Sequence, residues 1–104
     1  MSIASTPEPP YTAVIFTSLL ADHEGYAEAS ARMDALVAEQ PGYLGQESAR
    51  NGLGITVSYW RTPQDAQAWK QVAKHLVVQR LGRERWYSAY RVRVATVQRE
   101  YGSV

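Results

Sequence analysis

The sequence predicts a single α+β domain with the element order βαββαβ, which is the ferredoxin-like arrangement. Four segments show the alternation of a β-strand, and two show apolar residues at helical spacing. Turn signals separate these six segments, and 104 residues are enough for one two-layer core. We therefore expect two helices to cover one face of a four-stranded antiparallel sheet.

The first half of the chain contains a strand, a helix and a weaker strand. Alternating β-branched and aromatic residues predict the strand over 11–19. Asp22 is the expected N-cap of the helix, which Pro41 and Gly42 end because proline cannot continue a helix. The next strand, over 43–50, is weaker because it contains glycine and several polar residues.

The second half repeats this order after a hairpin. Asn51-Gly52 favours a tight turn, and the β-branched run over 55–61 predicts the third strand. Thr62 caps the second helix, which begins with proline. The segment 79–86 predicts either a short helical piece or a turn, and clean alternation predicts a strand over 87–101.

The third strand has aromatic residues on both faces. Tyr59 and Trp60 are adjacent, so they point to opposite faces of the sheet, and the sequence leaves open which of them faces the helices. The face away from the helices also has apolar and aromatic residues, which water would otherwise contact. We therefore expect a homodimer in which a second copy covers that face.

The composition excludes several classes of protein. The chain has no cysteine, which excludes disulfides, thiolate metal ligands and a cysteine nucleophile, and favours a cytoplasmic location. No apolar run approaches the roughly 18 residues of a membrane span, so we expect no membrane partner. Residues 1–10 lack the pattern of a signal peptide and contain three prolines, which predicts a flexible leader before a single domain over 11–104.

Charge is distributed unevenly along the chain. Residues 1–65 have three basic and eight acidic side chains, a net −5, whereas residues 66–104 have eight basic and two acidic, a net +6. This polarity could steer an anionic ligand or orient one subunit against another. Because the pI of about 8.0 lies below the range of typical nucleic-acid-binding domains, we expect no nucleic-acid partner.

Six short segments, spread over roughly residues 11–101, resemble a known family. They are Gln40-Pro41-Gly42-Tyr43-Leu44-Gly45, Glu47-Ser48-Ala49-Arg50, Gly54-Ile55-Thr56-Val57-Ser58-Tyr59-Trp60, Trp69-Lys70, Lys74-His75 and Gly82-Arg83-x-x-Trp86-Tyr87-x-x-Tyr90. Together they resemble the antibiotic biosynthesis monooxygenase (ABM) domain family. The resemblance implies a dimeric α+β barrel of two ferredoxin-like subunits, each with a pocket between sheet and helices. It also implies oxygenation of aromatic substrates without metal or flavin.

Other members of the same fold degrade heme, and the resemblance to them is incomplete. Those enzymes use an asparagine on the first strand, a tryptophan on the second helix and a later histidine. Trp69 matches the tryptophan, but the strand over 11–19 contains no asparagine. His75 follows Trp69 by six residues, closer than those enzymes place their histidine. We therefore rank heme binding or degradation third among the functions considered.

His75 is the candidate catalytic residue, because an imidazole can accept a proton near neutral pH. Oxygenation of an acidic phenol needs this step, since the resulting anion can pass an electron to oxygen without a cofactor. The alternative is an exposed histidine near a helix end, stabilised by the helix dipole. We assign His23 to the surface, and two histidines at this spacing make no metal motif.

The candidate substrate-binding residues are aromatic or basic. They are Trp69, Tyr59, Trp60, Trp86, Tyr90 and Arg83, and Tyr87 belongs to the same aromatic group. Aromatic side chains of this kind equally build cores and interfaces, and Arg83 equally suits a pair between subunits. A tyrosine hydroxyl in an apolar pocket is nevertheless a natural donor to a quinone or phenol oxygen.

The sequence thus predicts a cofactor-independent monooxygenase that oxidises a small aromatic or quinol-like compound with molecular oxygen. No metal and no other cofactor is expected. The alternative is a non-catalytic dimer that binds a small molecule or serves as an accessory protein.

Overall fold

The computed structural model describes residues 2–21, 24–76 and 86–103, apart from the side chains of His75 and Leu76. The elements are β1 Tyr11–Leu20, α1 Tyr26–Val37, β2 Tyr43–Asn51, β3 Leu53–Trp60, α2 Pro63–Leu76 and β4 Tyr87–Val97. The predicted order βαββαβ is confirmed. Apart from Trp86, the segment predicted as a turn or short helix over 79–86 lies outside the described residues.

The four strands form one antiparallel sheet in the order β2-β3-β1-β4. β1 and β3 are therefore central, and β2 and β4 are the edges. Helix α2 contacts β1 and β3. On the helix-facing side of the sheet, the edge strand β4 stays open to water. The side chains of Val92 and Val94 are 46% and 63% exposed there.

The element boundaries follow from glycine and from one threonine cap. Gly25, with a φ of 76°, is the N-cap of α1, so the helix start predicted at Asp22 is wrong. A positive φ is incompatible with a helix, which therefore begins only at Tyr26. At α2 the expected cap is confirmed, because Thr62 Oγ1 accepts a hydrogen bond of 3.0 Å from the backbone N–H of Asp65.

The core lies between the sheet and the helices, around Trp60. Its side chain is fully buried, and it packs with the buried Val37 of α1 and Ala66 of α2. The partly buried residues around this cluster are Val14, Tyr43 and Trp69. Of the two adjacent aromatic residues on β3, Trp60 thus faces the helices, and Tyr59 points to the opposite side.

The sheet face away from the helices, here called the open face, is contacted at one end by the N-terminal leader. The backbone N–H of Ala4 donates to Glu47 Oε2 at 2.9 Å, and Thr6 Oγ1 donates to the hydroxyl of Tyr11 at 3.0 Å. Tyr11 and Ala13 are buried at this end. The leader therefore contacts the sheet through Ala4 and Thr6. That it is flexible stays a prediction.

The other end of the open face is apolar and accessible to water. Leu19, Leu53 and Ile55 are 44%, 49% and 42% exposed. The register aligns them, since Leu19 of β1 pairs with Leu53 of β3 and Ile55 lies two residues along the same strand. In the described part of the chain, neither helix is long and apolar enough to cross a membrane.

Candidate functional site

Two of the candidate aromatic residues belong to the core. The rings of Trp60 and Trp69 are stacked, with centroids 6.3 Å apart and planes 22° apart. The indole Nε1–H of Trp60 donates to Ser58 Oγ at 2.9 Å. Because Trp60 has no exposed surface, it stabilises the domain from inside, and only the half-buried Trp69 has surface that a ligand could reach.

A second group of aromatic side chains lies on the helix-facing side and is here called the aromatic cluster. It contains three residues that the sequence analysis singled out, Trp86, Tyr87 and Tyr90. Its members are Phe16 of β1, Tyr26 of α1, Trp86, and Tyr87 and Tyr90 of β4. Phe16 lies 5.3 Å from Tyr87 and 5.8 Å from Tyr90, between ring centroids. Tyr26 meets Trp86 and Tyr87 edge to face, at 5.9 Å in each case. This cluster is partly open to water, since Tyr90 is 51% exposed.

Sequence analysis identified the β4 side of this cluster and missed Phe16 and Tyr26. Both residues occupy regular positions of a strand and of a helix stripe, which are typical of ordinary core residues. No local signal in the sequence could have found Phe16, because it joins the cluster only through the sheet register, in which Ser18, two residues further along, pairs with Tyr90.

Arg50, at the end of β2, joins the aromatic cluster and was given no role by the sequence. Its Cζ lies 5.6 Å from the centroid of the Tyr26 ring. Its Nη2 donates to Ser18 Oγ at 2.5 Å, and Nη1 donates to the carbonyl oxygens of Ser18 at 3.2 Å and Gly52 at 3.3 Å. A guanidinium cation is therefore held beside an aromatic ring by three hydrogen bonds.

The guanidinium lies directly over the backbone of Gly54, which faces Arg50 across the β2–β3 pair. A Cβ at Gly54 would collide with Cζ, Nη2 and Nε of Arg50, and Cζ would be the nearest of these atoms. Only glycine, which has no Cβ, leaves room for the guanidinium at this position. The flat guanidinium can therefore rest on the strand with its face against the Gly54 Cα.

The hydroxyl of Tyr87 stays protonated in this environment. Burial is the main cause that raises its pKa, and a hydrogen bond with Tyr26 raises it further, while the charge of Arg50 opposes both. A hydrogen bond raises the pKa of a phenol when the phenol donates it, so Tyr87 donates its proton to Tyr26. The aromatic cluster therefore combines apolar walls, a cation and neutral hydroxyl groups.

Tyr59, another candidate, has a different setting on the open face. Its hydroxyl donates to Glu47 Oε1 at 2.7 Å, and its ring meets that of Tyr11 edge to face at 5.8 Å. Burial, followed by the hydrogen bond to Glu47, raises the pKa of Tyr59 to about 12. The sheet separates this residue from the aromatic cluster, so the two cannot line one pocket of the same subunit.

The open face also has a shallow depression of about 210 Å³ at its exposed end. Its lining residues are Thr17, Ser18, Leu19, Leu53, Ala89, Tyr90 and Arg91. Aliphatic side chains and one arginine dominate this surface, which is continuous with the exposed leucines described above.

The remaining candidates are placed only in part. His75 lies in the last turn of α2, and its side chain is outside the described part of the structure. Arg83 and His23 also lie outside the described residues. Within the described residues, no group of three or more histidine, cysteine or acidic side chains could hold a metal ion.

No protein-family model matches this chain. Solved structures with the same fold include a candidate antibiotic biosynthesis monooxygenase from Nitrosomonas europaea, with a TM-score of 0.65, 16% identity, and coverage of 96% of this chain and 99% of that one. The heme-degrader MhuD from Mycobacterium tuberculosis, with two hemes bound in its active site, has a TM-score of 0.61 and 16% identity, with coverage of 86% and 99%. The fold is thus that of ABM-domain proteins, as the sequence resemblance predicted.

A closer sequence relationship identifies the family. The uncharacterized protein YqjZ of Bacillus subtilis (strain 168) is 46% identical to this chain over 101 residues, which are 94% of this chain and 89% of YqjZ. The chain therefore belongs to the same family as YqjZ.

Proposed function

We propose that this protein is a cofactor-independent monooxygenase that oxidises a small aromatic or quinol-like compound with molecular oxygen. The observation that carries the proposal is the aromatic cluster on the helix-facing side, with its half-exposed Tyr90. Offset and edge-to-face ring contacts are favourable for a flat aromatic ligand. The fold shared with a candidate monooxygenase supports the same reaction class.

In the proposed reaction the protein binds the substrate, removes one proton and limits access of water. The aromatic cluster holds the ring, and the hydroxyl of Tyr87 exchanges its hydrogen bond to Tyr26 for one to the substrate oxygen. His75 accepts the proton from the acidic phenol, and the resulting anion passes an electron to oxygen. For a ring-activated CH₂ group the net change is CH₂ + O₂ → C=O + H₂O, so the substrate supplies all the electrons.

The proposal includes a homodimer in the cytoplasm. The exposed apolar end of the open face, with Leu19, Leu53 and Ile55, is the surface that a second copy would cover. The mass in solution is therefore measured by light scattering before any activity assay, so that activity is assigned to a known assembly.

Oxygen uptake tests the proposed activity. The purified, metal-free protein is incubated with hydroquinones, anthrones and heme, beside the variants His75→Ala and His23→Ala. We expect protein-dependent uptake with at least one phenolic compound and a loss of about 10²-fold or more in His75→Ala, because that is the typical contribution of a general base. The other histidine serves as the matched control, and His23→Ala should retain the wild-type rate.

The outcomes separate the proposed function from its alternatives. No uptake by a folded protein with any compound would favour a non-catalytic binding or accessory role. Equal rates of oxygen uptake in His75→Ala and His23→Ala would exclude His75 as the base but would still support an oxygenase. A Soret band on titration with heme, without uptake of oxygen with phenols, would favour the heme-binding function.

A further inference from the structure

We propose that Arg50 is the anion-recognition residue of the aromatic cluster, and that the ligand is a small aromatic compound with a negatively charged oxygen, as in a carboxylate or phenolate. This inference rests on the proposed function, because it specifies the substrate class for the same site. It adds a residue and a charge requirement that the aromatic rings alone do not imply.

The first argument is the charge balance around Arg50. The residue is half-buried, and the ion pair found among the described residues joins Arg32 and Glu28 on α1 instead. The partners of the Arg50 guanidinium are two carbonyl oxygens, one hydroxyl and an aromatic ring, all of them neutral. A partly buried cation that has no carboxylate partner among the described residues favours an anion close to it, because desolvation of a lone charge is costly.

The second argument is the set of hydrogen-bond donors that stays available. Three hydrogen bonds to described residues use Nη1 twice and Nη2 once, so towards that part of the chain Nε–H and one Nη2–H remain of the five donors. Nη1 and Nη2 both bond to Ser18, which places that residue at the outer edge of the guanidinium. The two remaining hydrogens lie at the side edge, and two parallel donors match the two oxygens of a carboxylate.

One of these donors, Nε–H, also reaches solvent. In the part of the chain that the structure describes, no buried polar side-chain atom lacks a hydrogen-bond partner. Nε of Arg50 makes no hydrogen bond to a described residue, so it must have accessible surface. A ligand can therefore approach it without opening the core.

The third argument is that the guanidinium is held in place before any ligand binds. Ser18 and Gly52 fix its outer edge, the Gly54 backbone lies against its face, and the Tyr26 ring is close by. A fixed cation loses less side-chain entropy on binding than a mobile surface arginine would.

Binding of two matched probes tests the inference by calorimetry, with no turnover. The probes are 2-naphthoate and its neutral amide, 2-naphthamide, which differ in charge and share the aromatic ring. We expect the wild-type protein to bind the carboxylate at least tenfold more tightly. Arg50→Gln should weaken binding of 2-naphthoate by about 10- to 100-fold, the usual range for a hydrogen bond to a charged group, and leave 2-naphthamide unchanged.

A second variant tests whether weaker binding in Arg50→Gln comes only from the lower net charge or from lower stability of the protein. Gly54→Ala keeps Arg50 and the net charge, but its methyl group occupies the place of the guanidinium and displaces it. It should therefore also weaken 2-naphthoate selectively. The matched controls are Arg32→Gln, which removes an exposed arginine, and Gly102→Ala, which adds a methyl group in open space. Circular dichroism checks that every variant is folded.

The inference is overturned if the folded wild-type protein binds neither probe, or binds both equally. It is also overturned if Arg50→Gln binds 2-naphthoate as well as Arg32→Gln does. These results are independent of oxygen uptake: selective carboxylate binding without uptake would contradict the proposed function alone, and uptake without charge selectivity would contradict this inference alone.

Discussion

The buried hydrogen bond between Trp60 and Ser58 gives a sharp stability prediction. Trp60 is fully buried, and the hydroxyl of Ser58, itself only 7% exposed, accepts its indole N–H at 2.9 Å. Ser58→Ala leaves that N–H without a partner inside the core. The free energy of unfolding should fall by about 1–3 kcal/mol, the desolvation cost of an unpaired buried donor.

A double-mutant cycle isolates this effect from packing. Trp60→Phe removes the N–H and part of the ring, so it should cost less than the roughly 3–5 kcal/mol expected for truncation of a buried tryptophan to alanine. In that background Ser58→Ala no longer leaves an unpaired donor, and its cost should fall below about 0.5 kcal/mol. The two substitutions should therefore be coupled by about 1–2 kcal/mol.

Urea unfolding, followed by far-ultraviolet circular dichroism, measures the cycle. The protein concentration is held constant, because association would change the apparent stability. Ser48→Ala, at an exposed position of β2, is the control and should change the stability by less than about 0.5 kcal/mol. If Ser58→Ala costs the same in both backgrounds, the hydrogen bond does not stabilise the core and the argument fails.

Two further predictions concern the turns and the open face. Gly42→Ala and Gly52→Ala should each cost about 1–2 kcal/mol, because both glycines have a φ near +80°. Gly42→Ala should have the lower melting temperature, since its methyl group collides with the Asp65 side chain, whereas Gly52 is in open space; equal temperatures would contradict the collision. The raised pKa of Tyr59, about 12 against 10.0, means that folding favours the protonated phenol. Its contribution to stability is therefore complete below pH 10 and lost as the pH rises towards 12. The tyrosinate absorbance of Tyr59→Phe should lack a step near pH 12 that the wild-type protein shows, and identical titration curves would refute the assignment.

Most of the fold was predictable because local signals determine it. Strand alternation, the Thr62 cap, the proline at the start of α2 and the Asn51-Gly52 turn depend on neighbours within a few residues. The start of α1 was predicted wrongly because that prediction also used only local residue type. Asp22 is a good capping residue by type. Only the backbone conformation of Gly25 decides that the helix begins at Tyr26.

The sequence by itself determined that Tyr59 and Trp60 lie on opposite faces, since side chains alternate along a strand. Only the tertiary structure decided which of them faces the helices, because that depends on the side from which α1 and α2 pack. Likewise, the sequence supplied the aromatic residues of β4 but not their grouping with Phe16, Tyr26 and Arg50. Arg50 and Ser18 are 32 residues apart and meet only through the sheet order β2-β3-β1-β4, a long-range pairing that no local pattern encodes.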